Sequence, residues 1–380
     1  MTEWRTVEFC DAITDSSSGH HKILQSNYQK NGLLPVVDQG AKLIAGYVDD
    51  RSLAYSGPLP VIAFGDHTRH VKYIDFPFTV GADGVKLLHP TPIFEPKYLF
   101  HHLRYLNIPN AGYSRHFKFL KTAKFVAPPM DEQRNIAQVL DQVDALREKR
   151  RKAVTLLDEL TQSIFLDMFG DPMQNPKNWP VVLLETLGNL DRGVSKHRPR
   201  NDPKLLGGPY PLVQTGDVAN SGGYITSASG TYSEIGLHQS RLWPQGTLCI
   251  TIAANIAKTG ILTFDACFPD SIVGFTSENS TAEYVRGIIL LLQESIEKLA
   301  PESAQKNINL KTLRNLSVPH PPAELIREYA QRVTALNATK ATHEAQLDRL
   351  NALFASLQSR AFRGELWQHE AEDPAGEGVP

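Results

Sequence analysis

The residues of this chain whose types and clustering could do chemistry are hydrogen-bond donors, not nucleophiles or metal ligands. The run SKHRPR gathers Lys196, His197, Arg198 and Arg200. Gln214 and Thr215 follow in PLVQTGDV, Asn255 and Lys258 in ANIAK, and Gln305, Lys306 and Asn307 in AQKNINLKT. The first half of the chain holds a comparable set. Gln39 and Lys42 lie in and after PVVDQG, and His67, Arg69, His70 and Lys72 lie in GDHTRHVK. Tyr113, Ser114, Arg115, His116 and Lys118 lie in YSRHFK. Arg, Lys, Asn and Gln carry the paired donors that read base edges, and Arg and Lys also neutralise phosphates. The alternative at each position is a basic loop that is merely solvated.

Catalytic chemistry has no comparable support. The sequence holds no Gly-rich cofactor loop after a strand and no Asn/Asp-Pro-Pro-aromatic motif. It also has no Walker A, helicase or HExxH motif. A nuclease needs clustered carboxylates to hold metal, and here Asp and Glu are scattered. His101 and His102 are adjacent, and neighbours on a helix point apart, which favours structural or surface roles over a shared metal. Cys10, Cys249 and Cys267 are odd in number and widely spaced, against a disulfide framework or zinc site and in favour of a reducing cytoplasm. The net charge of −2 gives no global basic field, so nucleic-acid binding must come from local patches. The longest apolar run, 288–292, is far short of the roughly 20 residues that span a bilayer, and no signal peptide opens the chain. The expectation is a non-catalytic chain with no metal and no cofactor of its own, away from membranes.

These donors need elements to position them. Residues 33–37, 61–64, 71–74 and 84–88 read as strands, each bounded by Gly, Pro or Asp, and 96–106 reads as a helix. Residues 128–170 then open with Pro-Pro and an acidic turn and run with apolar residues at alternating spacings of three and four. About 38 residues at about 1.5 Å each would reach roughly 57 Å, too long for an ordinary globular helix. Residues 171–180, with three prolines and two asparagines, stop it.

The chain then repeats itself. Leu120-Lys121-Thr122 matches Leu310-Lys311-Thr312. At an offset of 193 Arg134 pairs with Arg327, Ala137 with Ala330, Leu157 with Leu350, Ser163 with Ser356 and Phe169 with Phe362. One seam runs Ile136, Leu140, Val143, Arg147, Arg150, Val154, Leu157, Thr161, Ile164, Met168. The other runs Tyr329, Val333, Leu336, Lys340, His343, Leu347, Leu350, Phe354, Leu357, Ala361. Both are apolar at the ends and basic in the middle. Such seams need partners, and each is the obvious partner of the other. The expected fold is α+β: two globular mixed α/β domains separated by two long helices packed as an antiparallel coiled coil, a pseudo-twofold internal repeat. The boundaries read 1–127 for the first domain, 128–170 for the first spacer helix, 171–320 for linker and second domain, 321–364 for the second helix, and 365–380 for a disordered acidic tail. In-register antiparallel packing would bring Arg147 and Arg150 near Lys340 and His343. Either Glu148, Glu159, Glu344 or Asp348 neutralises them, or another subunit's acids do.

On these residues the chain resembles the specificity subunit of a type I restriction–modification system. PPMDEQRNIA (128–137), SIFLDMFGDP (163–172), SLQSRAFRGEL (356–366) and PLVQTGDV (211–218) carry the likeness, which covers nearly the whole chain. In the second copy PPAELIREYA puts Leu325 and Ile326 where Glu132 and Gln133 stand in the first. The resemblance implies two target-recognition domains that each read half of a bipartite, asymmetric site in double-stranded DNA. It also implies helices that act as a spacer and dock two methyltransferase subunits, with restriction subunits added for cleavage. S-adenosylmethionine would then sit on the methyltransferase partners. Two readers of one duplex must be separated by about one turn, roughly 34–36 Å, or a multiple of it. The rivals are a coiled-coil scaffold without sequence-specific DNA binding, and a single-chain nuclease or methyltransferase, which the missing motifs disfavour.

Overall fold

The computed structural model describes residues 4–82, 84–112, 114–253, 255–278, 280–298 and 307–367. By contacts the chain divides into two compact units: residues up to 151 together with those from 345 on, and residues 152–344. Two continuous 40-residue helices, Met130–Phe169 and Ala323–Phe362, begin and end at an offset of 193. Each unit therefore holds part of both.

In the first unit, Ile13–Asp15, Val85–Pro90, Val61–Gly65 and Val71–Ile74 form an antiparallel sheet in that order. A second sheet orders Lys22–Ile23, Thr79–Gly81, Leu34–Val37 and Gly46–Val48, with parallel pairing of Val37 to Val80. Arg5–Glu8 and Lys124–Ala127 pair as an antiparallel ribbon ahead of the first long helix. The sequence expectation for strands in this region holds closely, with Val71–Ile74 matched to the residue.

The second unit uses the same plan. Asn189–Arg192, Ile272–Thr276, Leu248–Thr251 and Thr259–Leu262 form the antiparallel sheet, extended by Tyr224–Ile225. The smaller sheet orders Gly230–Tyr232, Leu206–Leu212, Ala266–Cys267 and Leu242–Trp243, again with a central parallel pair, Leu212 to Cys267. Val181–Leu183 pairs with Ser317–Pro319 as the ribbon.

Within each unit the two helix segments share one core with the sheets, and they run antiparallel. In the first unit Ile136, Leu140 and Val143 pack with Phe354, Ala361 and Phe362, with Leu350 and Leu357 against them. In the second, Phe165, Met168 and Phe169 pack with Ile326, Tyr329 and Val333, with Ile164 beside them. Val154, Leu157, Leu336 and Leu347 are half-buried along the same seams.

Two basic residues of the seams, Arg147 and Lys340, are neutralised inside their own units. Arg147 donates to Asn351 Oδ1 at 2.8 Å and to Asp144 Oδ1 at 2.6 Å, and its guanidinium lies 4.4 Å from the Phe354 ring centroid. Lys340 pairs with Asp158 at 2.7 Å and with Glu344 at 3.9 Å. Arg147–Asn351 and Lys340–Asp158 are the same contact at the 193 offset. The register is thus displaced from the one expected. Arg147 meets Asn351, and Asp144 and Asp158 join Glu344 as the neutralising acids.

A second duplicated contact anchors the helix that follows each main sheet, Pro96–Tyr105 in the first unit and Thr281–Lys298 in the second. Tyr98 donates its hydroxyl to Val126 O at 2.9 Å, and Tyr284 donates to Pro319 O at 2.7 Å. Phe362 packs on Tyr98 with ring centroids 5.4 Å apart, and Phe169 on Tyr284 at 4.8 Å. Edge-on pairs of this kind add about 0.5–1.5 kcal/mol beyond area burial. Next to this shared frame the copies diverge by exchange of volume. In the first unit His101 is buried, its carbonyl accepts from Gln358 at 3.2 Å, and its ring meets Asp141 Oδ1 at 2.8 Å. In the second the corresponding pair is Gly287 and Phe165, and the Phe165 ring takes the space a side chain at 287 would need. A Cβ there would lie 2.5 Å from Phe165 Cδ2. Gln133, buried, donates to Ile93 O and Pro128 O at 2.9 Å each and accepts from Glu95 N at 2.9 Å. Its counterpart Ile326 is plain core.

Two outcomes test this packing. Gly287→Ala should destabilise the chain by about 1–3 kcal/mol in urea unfolding, and adding Phe165→Leu should recover part of the loss, since the two positions share one space. His102 is buried beside Phe125 and Phe362, its Nε2 accepting from Val126 N at 3.3 Å, and burial pushes its pKa down to about 4. The unfolded chain takes up that proton near pH 6.5 and the native state does not. Stability should therefore fall as pH drops from about 6.5 to 4, by roughly 2–3 kcal/mol from this residue, and His102→Leu should flatten that limb.

Candidate nucleic-acid interface

Three loops of the first unit that the sequence marked as donor-rich are stitched together by two aspartates. After strand Leu34–Val37 the chain turns at Asp38, which accepts from Gly40 N at 2.8 Å. Lys72, on Val71–Ile74, donates to Asp38 O at 2.6 Å with its carboxylate 3.5 Å away. Gln39 Oε1 accepts from His67 N at 3.2 Å, and the Thr68 hydroxyl donates to Gln39 O. Asp66, buried at the start of the hairpin turn, binds the third loop: its carbonyl accepts from His116 N at 2.7 Å and its carboxylate from Phe117 N at 2.8 Å. His116 Nδ1 donates to the same carbonyl at 3.0 Å, leaving Nε2 to accept from Ala111 N at 3.3 Å. Arg69, at φ 62°, reaches Ile108 O at 3.0 Å.

This arrangement sorts the candidates. Lys72 and His116 are buried with their polar atoms engaged internally, so they brace the loops and present nothing to a surface ligand. Burial holds the Lys72 ammonium below its usual pKa, against the pull of Asp38. Lys42, His70, Arg115 and Lys118 are exposed, Ser114 is half-buried, and Tyr113 lies outside the described residues.

In the second unit the SKHRPR loop leaves strand Asn189–Arg192 and is held at both ends. The N–H groups of Lys196 and His197 both donate to Gln239 Oε1, at 2.7 and 3.0 Å. The His197 ring meets Asp202 at 3.1 Å, Arg198 donates to Ser195 O at 2.6 Å, and Arg200 donates to Asp270 Oδ1 at 2.6 Å. All four basic side chains are exposed. Gln214 stands two residues past the central-strand residue that pairs in parallel, as Gln39 does in the first unit. Gln214 and Thr215 open a short helix, Thr215–Ala219, whose Asp217 accepts from Gln214 N at 2.8 Å.

The hairpin turn with Asn255 and Lys258 matches the 65–70 turn. It too carries a left-handed residue, Ala257 at φ 57°, and it too is docked by the chain entering the next short helix, with Ile308 N on Ile252 O at 2.9 Å. Asn307 bridges Ala253 there, so this turn and Asn307 are brought together, whereas Gln305 and Lys306 lie outside the described residues. Lys258 is half-buried, with Nζ 3.4 Å from Gln293 Oε1. Sequence reasoning missed Asp38, Asp66, Gln239 and Asp270. Asp38 and Asp66 sit inside marked motifs; Gln239 and Asp270 are far from their loop in sequence and carried no local signal.

Among the described residues no group of three or more His, Cys, Asp or Glu could hold a metal ion, and no helix is long and apolar enough to cross a membrane. His101 faces Asp141 while His102 sits among aromatic rings, so the two imidazoles do separate work.

A family model described as the type I restriction modification DNA specificity domain matches residues 4–156 and 176–352. The type I restriction enzyme EcoBI specificity subunit of Escherichia coli is 25% identical over 328 residues, 74% of this chain and 68% of that one. In fold, the chain is similar to a type I restriction–modification S subunit from M. genitalium, with a TM-score of 0.63 at 14% identity over 95% of this chain and 96% of the other. A chain from a structural study of complex assembly and conformational transition in the type I restriction–modification system matches with a TM-score of 0.51 at 16% identity, over 96% and 99%.

The bracing role of Lys72 separates it from its exposed neighbours. Lys72→Ala should lower stability by about 1–3 kcal/mol, because the Asp38 turn loses its buried cation, while Lys42→Ala should stay within about 0.5 kcal/mol of the parent in the same denaturation measurement.

Proposed function

The chain belongs to the type I restriction modification DNA specificity family, and from that premise we propose that it reads a bipartite, asymmetric site in double-stranded DNA, one half per unit. The exposed donors of the stitched loops would carry the reading: Lys42, His70, Arg115 and Lys118, with half-buried Gln39 among them, in the first unit, and Lys196, His197, Arg198, Arg200, Gln214 and Asn255 in the second. The observation that favours this is the duplication itself. Two units share one sheet plan and place exposed donors on corresponding turns, yet differ in the residues those turns present. Different donors on equivalent turns are what two unlike half-sites require, since arginine, lysine, asparagine and glutamine each prefer particular base edges.

The long helices would dock two methyltransferase subunits and, for cleavage, restriction subunits. The chemistry and the S-adenosylmethionine would belong to those partners, in the cytoplasm, with no catalytic residue in this chain. A scaffold without DNA reading would have no need of two elaborate sheet domains with braced basic loops.

Replacing residues 1–127 with the equivalent region of another family member, in cells that also carry the methyltransferase partners, tests the reading by methylome sequencing. The expected result is a new sequence in one half of the modified site with the other half retained. A change in both halves would refute one reader per unit, and sites unrelated to either parent would refute DNA reading by these loops.

A further inference from the structure

Asp270 lies between strands Ala266–Cys267 and Ile272–Thr276, and three arginines converge on it. Arg192 donates Nε and Nη2 to its main-chain oxygen at 2.9 and 2.6 Å. Arg200 Nη2 donates to Oδ1 at 2.6 Å, and Arg198 Nη2 stands 3.8 Å from Oδ2. The backbone of the basic loop is fixed by other groups. Gly193 is packed so closely that a Cβ would lie 2.3 Å from Pro269 O and 2.4 Å from Phe268 O, and Gln239 holds the next turn through two N–H groups. From Gly193 to His197 the loop backbone is thus placed without the Asp270 carboxylate. That carboxylate holds the Arg200 guanidinium tip and stands beside that of Arg198, whose Nη1 also donates to Ser195 O and His197 O at 2.6 and 2.8 Å.

Those pairs are open to water. The side chains of Arg198 and Arg200 are 55% and 47% exposed and that of Asp270 34%. Ion pairs this exposed are weak and salt-screened. A guanidinium fork accepts a carboxylate and a phosphate with the same geometry, so the two compete for one site. Non-specific binding to DNA is almost wholly electrostatic, and any competing internal anion weakens it first. A specific complex adds base contacts that outweigh the exchange.

We infer that the Asp270 carboxylate stands in for a backbone phosphate of duplex DNA. It occupies Arg198 and Arg200 in the free chain, is exchanged for phosphate on binding, and so suppresses binding to non-target sequence. The inference rests on the reading of the 196–200 loop as a DNA surface.

Fluorescence anisotropy of the full chain with a random-sequence duplex, over a salt series, tests it. Asp270→Asn should bind about fivefold tighter and show a steeper salt dependence. Arg198→Gln with Arg200→Gln should bind more weakly, and adding Asp270→Asn to that pair should change nothing further. Asp270→Ser, run alongside, carries the same expectation should the Asn variant unfold. If the Asp270 variants bind no tighter while the arginine variant binds more weakly, the loop is a DNA surface and Asp270 only braces it, which overturns the inference. If the arginine variant binds as the parent does, the loop assignment itself fails, and the inference with it.

Discussion

A 40-residue helix with apolar residues recurring every three and four positions cannot stand alone in water, because its stripe would stay exposed and isolated helices gain little from backbone hydrogen bonds. Everything else in this chain answers that requirement. Each unit satisfies it with a segment of each long helix and closes the seam on its own sheets: Ile136, Leu140 and Val143 against Phe354 and Phe362 in one, Phe165 and Phe169 against Tyr329 and Val333 in the other. Arg147 and Lys340 are tolerated in the seam because the one gains an acid, an amide and a ring and the other an acid, each inside its own unit.

The two copies also show what such a frame must keep and what it can trade. The tyrosine hydroxyl on the ribbon carbonyl is kept at Tyr98 and Tyr284, and so is the phenylalanine that packs on each ring. Beside these, a histidine with a glutamine in one copy becomes a glycine with a phenylalanine in the other. Close-packed interiors allow that exchange because the Phe165 ring fills the space that a side chain at 287 would take. The buried Gln133, which ties three backbone groups together, becomes Ile326, with apolar packing in place of hydrogen bonds.

The repeat, the seams and the strands were legible in the sequence because each leaves a local or periodic trace. The offset of 193 reproduced both helices end to end, and Val71–Ile74 announced itself by β-branching between turn residues. The helix register was not legible. Matching basic centres to each other ignored that Arg147 could take Asp144 on its own helix and Asn351 on the other, and Lys340 could take Asp158 on the other helix. The donor loops were found by composition, but composition could not tell Lys72 and His116, which face inward, from Lys42 and Arg115, which face out. That distinction depends on Asp38 and Asp66 holding distant loops, and the reach of Asp270 across some 70 residues has no sequence signature at all.

The aromatic corner at Phe362 also bears on the order of events during synthesis. The second unit is one uninterrupted stretch of chain, whereas the first borrows Phe354, Ala361 and Phe362 for its core from the far end. At ordinary ribosomal speeds the first unit's sheets wait on the order of tens of seconds, after their own residues have emerged, for the segment that seals them. The half made first is thus completed last. During that interval its apolar groove stays open, a place where a chaperone or a neighbouring nascent chain would find a binding surface that the finished molecule no longer has.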